Sequence, residues 1–159
     1  MPSKMSLAVV TAAIFVVGAA MAPSANAASP DDACSLLTPA QVSAALSVSV
    51  SAGAYQGTYK ETCTWNATSA APKSAKYTTL VLEGLDAFRA GKQAPVKTIV
   101  VTTVTGLGDD AYYLAVGPNV GLIVKKGNVA FKVAVYGDIP LEEKQAMEKT
   151  LAQQVVSKL

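Results

Sequence analysis

The chain predicts an α+β fold: a curved antiparallel sheet of about five to seven strands, with N- and C-terminal helices packed on one face. Three observations point there. Between residues 61 and 136, short segments rich in Val, Thr, Ile and Tyr are punctuated by Gly, Pro and Asn, the pattern of antiparallel strands. Two of these segments, 122–126 and 129–136, flank Gly127-Asn128, a two-residue turn of the primed type. Helix-start signals stand on either side of the strand-rich stretch, at Thr38-Pro39 and at Pro140.

Taken in order, Thr38 is placed to cap the first helix, Pro39 suits its first position and Gln41 completes a capping box. Leu37 and Val42 have the spacing of a hydrophobic staple. The helix is expected to run to about residue 46 and to bury Val42, Ala45 and Leu46. Alternating Ser and Val over 47–51 suggests a short strand or extended arm. Gly53 and Gly57 bracket a loop. Residues 61–66 read as a strand with Cys63 and Trp65 on one face, followed by a Ser/Ala/Pro loop over 67–76. In the strand at 77–83, Leu80 and Leu82 share one face; Tyr77, Thr79 and Val81 share the other.

Residues 86–89 read as a short helix ended by Gly91. Pro95 precedes a β-branched strand at 97–104. Gly106-Leu107-Gly108 is a turn, and the strand at 110–116 ends at Gly117-Pro118-Asn119. In the hairpin, Val124 falls opposite Phe131 and Leu122 opposite Val133, with Lys125 and Lys132 on the other, wetter face. Pro140 opens the last helix. Glu142 and Glu143 lie in its first turn and Lys158 in its last, each matching the helix dipole. Met147, Leu151, Val155 and Leu159 form an apolar stripe that should lie across the sheet, with Glu, Lys and Gln opposite.

Residues 1–27 read as a cleaved secretory leader. Lys4 supplies a positive start, residues 6–22 an apolar run, and Ala25 and Ala27 the small-x-small pattern before a cleavage site. Residues 28–159 then form a single globular domain, periplasmic or secreted, with no stable membrane anchor after cleavage. Cys34 follows Asp31-Asp32-Ala33 and lies beyond the cleavage pattern, so it is not placed for lipidation. Two cysteines, Cys34 and Cys63, exported to an oxidising space, read as one structural disulfide. A zinc site would need four ligands, and the chain has no histidine, so no metal is expected.

Charge narrows the function further. The chain carries 13 basic and 11 acidic residues, and Lys4 leaves with the leader. Near-neutrality argues against nucleic acid, which calls for a basic patch. Gly106-Leu107-Gly108-Asp109-Asp110-Ala111 touches a dinucleotide fingerprint, but a strand follows it where a helix is required, so it reads as a tight turn. Asp109 and Asp110 are adjacent, hence on opposite faces of a strand, and make a poor acid–base pair. Lys125, Lys126 and Lys132 cluster at the hairpin as a lysine-guarded, solvated edge. Asn66-Ala67-Thr68 has the pattern of a glycosylation sequon.

After its leader the chain carries Cys34-Ser35-Leu36-Leu37-Thr38-Pro39-Ala40-Gln41-Val42, then Cys63-Thr64-Trp65, then Gly106-Leu107-Gly108-Asp109-Asp110-Ala111-Tyr112 and a closing helix. In these it resembles a broad group of small exported bacterial proteins of unknown function, many of them actinobacterial lipoproteins. The resemblance implies a curved antiparallel sheet with helices, similar in style to PsbP-like folds. It transfers no catalytic residues, and this chain departs from it in lacking the lipidation motif.

The function expected is a non-enzymatic exported binding module, with no cofactor. Its ligand surface is sought among Trp65, Tyr77, Asp109, Asp110, Tyr112 and Tyr113, and its partner is an envelope protein or a small apolar ligand. The alternatives are a hydrolase-like enzyme with a site at the 106–113 turn, and a structural or inhibitory partner of an envelope protein.

Overall fold

A computed structural model describes residues 31–69, 71–93 and 96–159. The leader and Pro95 lie outside the described residues. A 3-10 turn at Ala33–Ser35 precedes α1 (Pro39–Leu46); the strands are β1 (Ala54–Tyr55), β2 (Thr62–Asn66), β3 (Ala75–Glu83), β4 (Ile99–Val104), β5 (Asp110–Val116), β6 (Asn119–Lys126) and β7 (Val129–Gly137). Helix α2 (Leu85–Lys92) lies between β3 and β4, and α3 (Leu141–Val156) closes the chain. All seven strands form one antiparallel sheet in the order β1-β2-β3-β7-β6-β5-β4. The fold is therefore α+β with seven strands, as expected.

Local signals act as read. Thr38 accepts from the Gln41 N–H while Gln41 accepts from the Thr38 N–H, closing the capping box. The hairpin pairs Lys126 with Val129, Val124 with Phe131 and Leu122 with Val133, and Gly127 takes the positive φ its turn demands. Cys34 and Cys63 are joined, with Cα atoms 5.0 Å apart. The bond ties the start of the domain to β2.

One face of the sheet carries the main core. Cys63, Trp65, Leu80, Leu122, Val124, Phe131, Val133 and Val135 pack there against Val42 and Leu46 of α1 and Leu151, Ala152 and Val155 of α3. The other face is not simply wet, as expected for it. Helix α2 covers part of it, and Phe88, Tyr112, Ile123 and Ala130 form a second, smaller core.

Several boundaries differ from expectation. The loop between Gly53 and Gly57 contains β1, which pairs Ala54 with Thr64 and Tyr55 with Cys63. Gly91 does not end α2 but lies inside it, because any Cβ there would overlap the Tyr112 hydroxyl. Gly117-Pro118 is a two-residue turn, and β6 starts directly at Asn119, paired with Val116. Strand β3 begins at Ala75, with a register irregularity before Tyr77, and β4 begins at Ile99. The arm at 47–51 makes only a bridge, Val50 with Ala67.

Helix α3 departs most. Pro140 is its N-cap and Lys158 lies past its end, donating to Gln41 Oε1. Lys144 and Glu148, expected on the wet side, are buried beside Leu151 and Val155. The cause is in the sheet. The β6–β7 ladder stops at Leu122 and Val133, so the two strands part beyond it. A backbone N–H left there without a strand partner draws Glu148 inward, and the carbonyl of the β5–β6 turn draws Lys144. Glu148 accepts from the Val135 N–H, and Lys144 donates to the Pro118 carbonyl at 3.0 Å.

Candidate functional site

Alternation along each strand decides which of the expected ligand residues can meet. Trp65 is wholly buried on the main-core face, against the disulfide; a Cβ on Gly53 would collide with both Cys63 Sγ and the indole. Its Nε1 has no hydrogen-bond partner among the described residues. Tyr113 faces the same core and donates to the Gln145 carbonyl at 2.8 Å. Burial, reinforced by Glu148, pushes its phenol up to about 12. These two residues support the core and do not form a surface.

Asp109 and Asp110 are held at the turn. Asp109 accepts from the Gly127 N–H at 2.7 Å, with Lys126 and Lys125 at 3.5 and 3.7 Å. That N–H, helped by the lysines, lowers its carboxyl below the usual range. Asp110 receives Lys92 of α2. Two carboxylates engaged with different cations give turn and docking chemistry, not a general acid–base pair.

Tyr77 and Tyr112 lie on the other face. Tyr77 stacks on Tyr136 of β7, their centroids 4.5 Å apart. Tyr112 sits under α2, tilted against Phe88, and its hydroxyl donates to the Phe88 carbonyl at 2.9 Å. Burial, with Glu83 and Asp110 adding, pushes this phenol up to about 12. Of the six residues expected to form the ligand surface, Tyr112 lines the groove under α2 and Tyr77 lines a more open hollow beside it.

The groove, of about 300 Å³, lies between α2 and the β5–β6–β7 face. Its walls are Tyr112, Leu114, Val116 and Ile123, its roof Ala87 and Gly91 of α2, and its floor Gly121 and Ala134. Tyr136, Asn119, Glu83 and Lys132 complete the rim. Small residues make the space. Where the main-core face has Leu122, Phe131 and Val133 at the middle of β6 and β7, this face has Gly121 and Ala134. Lys132 is not on a guarded edge, as its neighbours Lys125 and Lys126 suggested; β7 is the central strand. Burial raises the Glu83 carboxyl above its ordinary value, with Lys132 acting against that shift.

Beyond the Tyr77–Tyr136 pair, the same face continues into a more open hollow of about 390 Å³ lined by Gln56, Thr64, Asn66 and Thr79. Thr64 Oγ1 is buried there without a partner among the described residues. A third hollow, of about 470 Å³, lies past Glu83 at Gly84 and Asn128. The described residues contain no group of three or more Asp, Glu or Cys residues able to hold a metal ion.

No protein-family model, no curated protein and no solved structure matches this chain. Function is therefore read from the groove itself. Sequence reading reached Tyr112 through its aromatic character but missed Gly121, Ala134 and Ala87. The available signal was the run of small residues within otherwise β-branched strands, a pattern that marks close approach or enclosed space.

Proposed function

We propose that this protein is an exported, non-enzymatic binding module that holds a small apolar molecule in the groove under α2. The single observation that carries the reading is the half-open, mostly apolar groove itself, about 300 Å³ over a buried second core, at the low end of the range for small-molecule sites. Export is supported by the Cys34–Cys63 disulfide, since such bonds persist in oxidising compartments. No helix among the described residues is long and apolar enough to cross a membrane. The resemblance to exported bacterial proteins belongs to the same reading.

The test is binding of the neutral apolar dye Nile red, with Ala87→Trp as the blocking variant. Ala87 is exposed on α2 and lines the roof, so the larger ring fills the groove without entering a core. One saturable site in the native protein, lost in Ala87→Trp at unchanged melting temperature, supports the reading. Absence of saturable binding, or binding untouched by Ala87→Trp, overturns it.

A second reading, an interaction partner for an envelope protein, draws on β4. This edge strand is uncharged from Ile99 to Val104, and Val100 is 60% exposed. Unpaired edges of this kind accept a further strand. Lysine at Val100 and Thr102 separates the readings: it abolishes strand addition and leaves the groove intact.

A further inference from the structure

Lys132 is the cationic side chain of the groove, and the carboxylates of Glu83 and Glu148 act on it only through space. It stands on β7, between β3 and β6 at the centre of the sheet, and is half-buried. Taking a cation partly out of water is costly unless something compensates. Yet among the described residues Lys132 joins none of the ion pairs, at Asp32, Asp86, Asp109 and Asp110, and makes no hydrogen bond.

Its direction is fixed by Gly121. Cε, Cδ and Cγ of Lys132 lie 3.3, 3.4 and 3.5 Å from where a Cβ on residue 121 would stand. Lys132 is directly opposite Ile123, two residues further along β6. The stem therefore leans toward the end of the sheet where β6 and β7 part. Glu83 lies the other way, opposite Ala130. The stem leans away from the one carboxylate on the groove's rim and toward the Gly121 end, with Glu83 still acting on its charge through space. Below the parted strands is Glu148, whose Oε2 has no partner among the described residues.

From this placement we infer that the groove's ligand is a monoanionic apolar molecule, its carboxylate or equivalent anionic group anchored by Lys132 Nζ and its apolar body lying against Leu114, Val116 and Ile123. The inference rests on the groove being a binding site. Glu83 at the opposite end disfavours a second negative group there, which sets the ligand as anionic at one end only. Gly121 gives the lysine stem the room to reach this position.

The experiment uses three chains of equal length, octanoate, octanol and octylammonium, as competitors of Nile red on the purified protein. Octanoate is expected to bind about tenfold or more tighter than octanol, as a charge-assisted contact allows, and octylammonium weakest. Lys132→Met keeps the stem over Gly121 and removes the charge. It is expected to bring octanoate to the level of octanol, with octanol unchanged, and Lys132→Arg to restore the preference. If octanoate binds no tighter than octanol, or its advantage survives Lys132→Met, the anionic anchor is wrong and the apolar groove stands. If none of the three competes and Nile red itself finds no site, both fall together.

Discussion

Glu148 Oε1 accepts the main-chain N–H of Val135 at 2.9 Å from within the core, so a helix side chain takes the place of a missing strand partner. Burial of this carboxyl, opposed by the Val135 N–H, Lys144 and Lys132, raises it from the ordinary 4.5 to about 8. Tyr113, Lys144 and Lys132 are the titratable groups around it.

The folded state thus holds a proton that the unfolded chain releases from about pH 4.5 upward. Stability contributed by the neutral carboxyl is complete below pH 4.5 and declines as pH rises toward 8. The slope from this group is at most about 1.4 kcal/mol per pH unit. Urea unfolding at pH 5, 6, 7 and 8 should follow that fall, and Glu148→Gln should flatten it. Glu148→Leu, which leaves the Val135 N–H unpaired, should cost about 1–3 kcal/mol at pH 5.

Gly91→Ala places a methyl group against the Tyr112 hydroxyl and breaks its bond to the Phe88 carbonyl. The expected loss is about 1–3 kcal/mol. Faster amide exchange throughout α2 and weaker Nile red binding should accompany it, while exchange in α1 and α3 stays unchanged.

Replacing Cys34 and Cys63 together by Ala removes a link across 29 residues of chain. Loss of about 2–5 kcal/mol is expected on thermal or urea unfolding. The same shift should follow when the native protein is unfolded under reducing conditions.

Two phenols, Tyr112 and Tyr113, should ionise only near pH 12 in an ultraviolet titration. Tyr112→Phe and Tyr113→Phe should each remove one of the late steps. Raised phenol values mean that stability from these residues is present below pH 10 and lost as pH climbs beyond it.

Much of this fold was legible because its signals are local. A capping box needs four residues, and a primed turn fixes the register of two strands. The disulfide needed only two cysteines and the expectation of export. What could not be read depends on partners distant in the chain. Strand β1 is two residues long and exists because β2 lies beside it. The buried Glu148 answers a backbone N–H freed where β6 and β7 diverge, and Lys144 the carbonyl of the β5–β6 turn, which no periodicity in α3 records. The expected ligand surface grouped Tyr112 with Tyr113, although adjacent strand residues point to opposite faces. Alternation alone therefore assigns one of them to each layer. The groove was missed because its makers are small residues, visible only once α2 is known to pass above them.

The central strand β7 serves two masters by strict turn-taking: Phe131, Val133 and Val135 fill the main core, while Lys132, Ala134 and Tyr136 shape the groove and Ala130 the second core beside it. Insertion of a single residue near the Gly127-Asn128 hairpin would exchange these roles along the whole strand. Bulky side chains would then plug the groove, and alanines and a lysine would hollow out the interior. Length, more than composition, is what this segment cannot vary.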